Sequence, residues 1–279
     1  MKPGVDFAAV ARLDLAEVVR SRWLAICLSL YAGLAGVFVA AGLRESGVVG
    51  FTGLGRALFS LCHTLVLLLP LVALVATGQV VNRARDEGTL ELLMSQPIRR
   101  DRYLFAILAV RFAALALPLL AIFALLGVVG AAWSGAGAAA GIAARASALC
   151  AALLFAFTSI GLLISVRVRS PARANAYVIL CWLAGVALVD FALIGAMLRW
   201  QLQPRAVLLL AALNPVQDAR LGLLSAGGVD LETLGPVGFY LVQTLGPDGL
   251  LALGVVWPTI LGAAAFVLAL RAFRRFDLV

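Results

Sequence analysis

Few side chains in this sequence could do chemistry of their own. There is one histidine, His63, four cysteines (Cys27, Cys62, Cys150, Cys181) and, beyond Met1, two methionines, Met94 and Met197. Thiolate, thioether and imidazole groups are ligands for soft metals, and a path for such an ion strings several together. Cys62, His63, Cys150 and Met197 lie toward the same end of three apolar stretches, yet nothing in their spacing makes them converge. Neighbours on a helix point about 100° apart, so Cys62 and His63 do not share one site without local distortion. The reading is of no metal ligand in this chain, with cysteines packed as small hydrophobes rather than joined as disulfides. One histidine cannot make an HExxH site, and the only lysine, Lys2, follows no glycine-rich turn, so no phosphate-binding loop is present. The chain reads as non-catalytic and without a cofactor; any ATP and Mg are bound by a separate chain.

Two charged residues interrupt otherwise apolar stretches: Asp190 and Arg111. An ionised group at such depth costs a few kcal/mol unless it is paired or wet. At 1.5 Å per residue, Arg111 stands ~12 Å in from Tyr103, and Asp190 ~13 Å in from Arg199 on the other side. Over a core of ~30 Å those depths differ by about 5 Å. A direct pair is open to them. So is the alternative of Arg111 reaching for the near surface while Asp190 stays neutral or bonds to backbone.

The elements that carry these residues are membrane spans. Of 279 residues, 63% are apolar and 13% charged, and the mean hydropathy is +1.07. Soluble domains run nearer 45–50% and about 25%. A helix crossing the bilayer needs about 20 apolar residues. Six stretches qualify: Trp23–Leu43, Ala57–Val81, Tyr103–Ala132, Ala146–Val166, Ala174–Leu198 and Gly249–Leu270. Arg205–Leu213 and Thr233–Pro247 are too short and too broken by Pro and Gly to cross. They read as interfacial or re-entrant pieces before the last span. The expected fold is an all-α membrane protein of six transmembrane helices in one domain, residues 1–279.

Fifteen of the 22 basic residues fall on the side of the two termini and six on the other, which makes the first side cytoplasmic. Residues 1–22 read as an interfacial amphipathic helix rather than a cleavable signal. Phe7, Ala11, Leu15 and Val18 share one face, and Asp14, Glu17, Arg20 and Ser21 the other. The basic residues border the spans, so they imply contact with membrane lipid and no nucleic-acid partner. Ala32, Gly36 and Ala40 recur every four residues along the first span, a pattern that permits close helix approach; Gly137 and Gly141 repeat the spacing beyond the third.

The connection between the second and third spans, residues 82–102, is the most informative segment. Thr89–Met94 reads as a short helix with Glu87 and Glu91 toward its N-terminus and Pro97 at its end, a charge order that suits the helix dipole. Leu92, Leu93 and Met94 form a compact apolar group on the cytoplasmic side. Such a group needs covering, by a cytosolic protein or by lipid headgroups.

This segment, ARDEGTLELLMSQPIRRDRYLFA, resembles the cytoplasmic segment of type-2 ABC exporter permeases. The amphipathic start, the six spans, the re-entrant segment and the tail RAFRRFDL fit the same family. The tract NPVQDARLGLL, from Asn214 to Leu224, resembles the branch that serves nitrous oxide reductase maturation. What the resemblance implies is a homodimer of this chain in a bacterial inner membrane, with a cytoplasmic ABC ATPase dimer and a periplasmic copper-handling subunit. Glu87, Gly88, Thr89, Leu90, Glu91, Leu92, Leu93, Met94 and Gln96 would form the coupling helix seated on the ATPase. The segment 199–249, with Asn214, Gln217, Asp218, Arg220, Leu221 and Leu224, would face the periplasmic partner. The poverty of soft ligands argues against copper passing through this chain itself. Export of another small molecule, lipid or sulfur species is the competing reading. An intramembrane enzyme lacks its clustered His and acids, and a secondary transporter its repeats and midplane polar groups.

Overall fold

In a computed structural model of the chain, the structure describes residues 5–46, 53–96, 98–134, 138–189, 191–192, 195, 199, 212–226 and 236–275. All regular structure among them is helical. Helix α1 is Val5–Arg20, α2 Arg22–Ser46, α3 Gly53–Thr77, α4 Val80–Asp86 and α5 Thr89–Met94. Then come α6, Arg100–Ser134, α7, Ala138–Arg167, and α8, Pro171–Leu183, which runs on into a π turn at Ala184–Leu188. Helix α9 is Pro215–Ala226, and α10 is Pro236–Arg274, broken at Gly246 (φ 64°).

Six helical stretches are long and apolar enough to cross a membrane: Arg22–Ala41, Ser60–Asp86, Arg100–Ala132, Ala140–Arg167, Pro171–Leu188 and Leu245–Arg274. The protein is a multi-pass membrane protein. Helix α7 is its spine, packed along α3, α6 and α10, with Leu149, Cys150, Leu153, Leu154 and Ala156 fully buried. Helices α2 and α8 turn most of their length outward. Ala32, Gly36 and Ala40 lie on that outward face of α2.

Local chemistry explains the breaks. Ser21 bends the chain between α1 and α2, its amide and hydroxyl both donating to the Val18 carbonyl at 3.2 and 2.7 Å. Pro171 opens α8, where the missing N–H costs nothing. Pro70 removes a donor from the α3 ladder, and nearby the Leu67 carbonyl accepts the Trp182 indole N–H at 3.1 Å. A π turn loosens the α-helical ladder, and the carbonyls of Gly185 and Val186 within it accept side chains from α9 and its N-cap.

The core has two parts. A larger apolar cluster fills the side of Cys27, Cys62, Cys150 and Leu223. A smaller one, on the side of α1, α4 and α5, gathers Val10, Val81, Leu90, Tyr103, Leu104, Val166 and Phe273. Aromatic contacts stitch it together, Phe7 to Phe105 at 5.9 Å, Phe105 to Phe266 at 6.1 Å, and Tyr103 stacked on Phe273 at 5.8 Å.

Candidate functional site

The connection between the second and third spans is a braced helical hairpin. After a break at Gly78–Gln79, α4 continues the direction of α3. Its side-chain cap is missing locally, and the first amides of a helix have no partner within it. Ser165 of α7 supplies the acceptor from another helix: its hydroxyl oxygen receives the Val81 N–H at 2.8 Å and the Asn82 N–H at 3.4 Å. The reversal into α5 turns on Gly88, whose φ of 70° is in the left-handed region that glycine enters without steric cost. The Thr89 hydroxyl closes the turn by donating to the Ala84 carbonyl at 2.9 Å.

That turn divides the expected coupling residues. Glu87, Gly88, Thr89, Glu91, Leu92 and Gln96 are exposed, Leu92 by 72%. Leu93 and Met94 are half-buried against the smaller core cluster. Leu90 is wholly buried in that cluster, so it anchors the hairpin and presents nothing to a partner. This corrects the expectation that it lies on the docking face: one turn of helix cannot turn Leu90 and Leu92, two positions apart, the same way. Beside the hairpin, Arg100 donates to the carbonyls of Phe273 and Arg274 at 3.3 and 3.0 Å, and Arg274 grips Asp101 through two bonds of 2.6 and 2.9 Å.

Arg111 meets the carboxylates of α1, and Asp190 lies outside the described residues. Its Nη2 donates to Asp14 at 2.8 Å and to Glu17 at 3.1 Å, its Nε to both Asp14 oxygens at 3.2 and 3.3 Å, and its Nη1 to the Ala76 carbonyl at 3.1 Å. One guanidinium thus ties α1, α3 and α6. Burial pushes the Asp14 carboxyl above its usual range, against the pull of Arg111. The helix-face expectation for α1 is corrected with it: the inward stripe is Phe7, Val10, Asp14 and Val18, and Leu15 is exposed with Leu13 and Val19. Sequence reasoning set Asp14 on the wet face by its type. The signal for its burial was its position four residues from both Val10 and Val18.

On the opposite side, α9 packs into the bundle. The Asn214 carboxamide caps it, accepting the Val216 N–H at 3.0 Å while donating to the Gly185 carbonyl at 2.7 Å. Arg220 donates to the Val186 carbonyl at 3.4 Å and to Gln217 at 3.3 Å. Helix α9 therefore clasps the π turn of the fifth span. Asn214 and Asp218 are buried, so they are not the partner-facing residues expected of them; Gln217, Arg220, Leu221 and Leu224 keep partial surface. Asp218 is fully buried with neither carboxylate oxygen bonded. Burial pushes its carboxyl up to about 8, so it carries its proton at neutral pH. Its carbonyl presses on α10, where a Cβ at Gly254 would come within 2.7 Å of it.

Cys62 and Cys150 are enclosed in the larger apolar cluster and Met197 lies outside the described residues. Among the described residues no group of three or more His, Cys, Asp or Glu gathers in a way that could hold a metal ion.

Six spans, a braced hairpin at one end and a strap helix beside it define the membrane-embedded part of a transport complex. Residues 8–278 match the family described as ABC-2 family transporter protein, and the chain belongs to that family. It is 29% identical, over 95% of its length and 97% of the relative's, to the probable ABC transporter permease protein NosY of Pseudomonas aeruginosa. It is also 34% identical over 34% of each chain to the protein of the same description from Stutzerimonas stutzeri. It is a permease subunit, without catalysis or cofactor of its own, and works with an ABC ATPase.

Proposed function

We propose that this chain couples an ABC ATPase on the cytoplasmic face to a periplasmic partner during copper-site maturation of nitrous oxide reductase. Likeness to the NosY protein of Pseudomonas aeruginosa along nearly the whole length, together with the tract Asn214–Leu224, supports that cargo setting. The arginine asymmetry supports an orientation with α1, α4, α5 and both termini in the cytoplasm of a bacterial inner membrane. The outward small-residue face of α2 supports a homodimer. Gln217, Arg220, Leu221 and Leu224 are the proposed contacts for the periplasmic partner. No soft-ligand path supports copper entering this chain, so its part is to carry motion to the subunit that handles the metal.

One observation carries the coupling role: Leu92 is 72% exposed at the tip of a hairpin whose base is buried and hydrogen-bonded. Covering a leucine is worth about 1.5–3 kcal/mol, a gain that an apolar groove on the ATPase would supply. Leu92→Asp is expected to purify as a folded permease from which the ATPase is missing, whereas the wild type brings the ATPase in equal amount. Retention of the ATPase by Leu92→Asp would overturn the docking assignment. Deleting the chain is expected to leave the reductase without its copper; a copper-loaded reductase in that strain would remove the maturation role and leave plain export.

A further inference from the structure

A cavity of about 550 Å³ opens between α1, the start of α2, the junction of α3 and α4, and α6. Ligand pockets run from about 300 to 1,000 Å³. Its lining is amphipathic. Leu13, Leu24 and Val75 give it an apolar wall, and Leu13 and Val75 extend onto the outer surface. Trp23 and Tyr103 mark its depth, each at the start of a span, where bilayers place their headgroups.

Charge decides what such a cavity takes. Asp14 and Arg111 neutralise each other inside it. Arg111 also reaches Glu17 at 3.1 Å, so one guanidinium faces two carboxylates; beyond that group Glu87 is the unpaired acid and Arg83 the unpaired base, and the lining keeps a net negative charge. Arg83 donates one bond, to Gln79 at 3.1 Å, and among the described residues neither it nor Glu87 has an ion-pair partner, although they stand one helical turn apart. The indole N–H of Trp23 is a further polar group without a partner. The cavity therefore offers the carboxylate of Glu87, that of Glu17 shared with Arg111, one guanidinium and one spare donor beside an apolar exit.

We propose that this cavity binds the headgroup of a zwitterionic phospholipid carrying a primary ammonium, its acyl chains leaving along Leu13, Leu24 and Val75. A primary ammonium has three N–H donors for Glu17 and Glu87, the phosphodiester takes Arg83, and the glycerol ester carbonyl accepts from Trp23. An anionic headgroup satisfies Arg83 and leaves both carboxylates opposed to negative charge. Glu17 is on α1 while Arg83 and Glu87 belong to the hairpin, so the lipid bridges the strap helix and the coupling element. This site stands independently of the ATPase and maturation roles proposed above.

Native mass spectrometry of the purified full-length chain tests it, in micelles doped with equal phosphatidylethanolamine and phosphatidylglycerol. One phosphatidylethanolamine per chain is expected to remain, favoured about tenfold, the ratio that 1.4 kcal/mol of discrimination gives. Arg83→Gln and Glu87→Gln, at exposed unpaired positions that leave the fold intact, are each expected to cut retention at least fivefold. Trp23→Phe, which keeps the ring and loses the N–H, is expected to weaken it less. Equal retention of the two lipids, or undiminished retention in both Arg83→Gln and Glu87→Gln, would mean unselective annular lipid and overturn the proposal. Displacement by water-soluble glycerophosphoethanolamine at equal concentration would overturn it too, by marking the site as one for a free solute.

Discussion

Arg111 shows how one buried charge organises its neighbourhood. Its side chain is 13% exposed and that of Asp14 5%, so removing Arg111 strands Asp14 in a place of low dielectric, at a cost of about 3–5 kcal/mol, whereas removing Asp14 leaves Arg111 its bonds to Glu17 and the Ala76 carbonyl. Arg111→Met is expected to lower stability in detergent by that order, and Asp14→Asn by less. The double variant should lose clearly less than the sum, which a double-mutant cycle reads directly; additive losses would mean the bond contributes little. That Arg111 needs a counter-charge was legible from its apolar surroundings. Its bonds to Asp14 and Glu17 were not, because those acids belong to a helix assigned to the surface by composition. Leu90 shows the same in reverse: expected on the coupling helix with its neighbours, it is drawn inside by tertiary packing.

Among the elements, spans were the easiest to read, since charge-free length alone defines them and all six were located. Hairpin α4–α5 was legible as a short helix from Thr89 to Met94, but its first arm was not. Val80–Asp86 is held as a helix by Ser165, eighty-odd residues away, and no local pattern announces a cap from another helix. In the proposed coupling role, this brace separates gripping from pulling. Ser165→Ala strips the acceptor from two amides at a cost of about 1–2 kcal/mol while leaving Leu92 untouched. In the proposed maturation role, the variant is expected to keep its ATPase through purification yet leave the reductase with less copper, as read by the metal content of the enzyme. A variant that lost the ATPase outright would show that the brace shapes the docking face itself. The π turn of the fifth span was equally invisible, because it answers to Asn214 and Arg220 across a stretch of chain that sequence periodicity cannot bridge.

At the level of the whole molecule, stability should carry the signature of Asp218. Its carboxyl titrates at about 8 in the fold and near 3.9 when unfolded. The folded state therefore holds one proton more between those values. Stability from this group is complete below about pH 4 and is lost as pH rises toward 8, by at most about 1.4 kcal/mol per unit. Above that it is constant. Relative to Asp218→Asn, which mimics the protonated acid, the wild type is expected to melt at progressively lower temperature from pH 5 to 8 and to hold a fixed gap beyond. A gap that does not change with pH would show Asp218 to be ionised throughout.

The tie between α1 and the bundle has a further consequence. A surface helix free of such a rivet floats up and down with the lipid around it, but this one is pinned through Arg111 to two spans and keeps its height. When the surrounding bilayer thins or thickens, the mismatch cannot be absorbed by the strap and must be taken up by the lipid or by tilting of the spans. Any tilt of those spans is thereby carried to the helix that flanks the hairpin α4–α5.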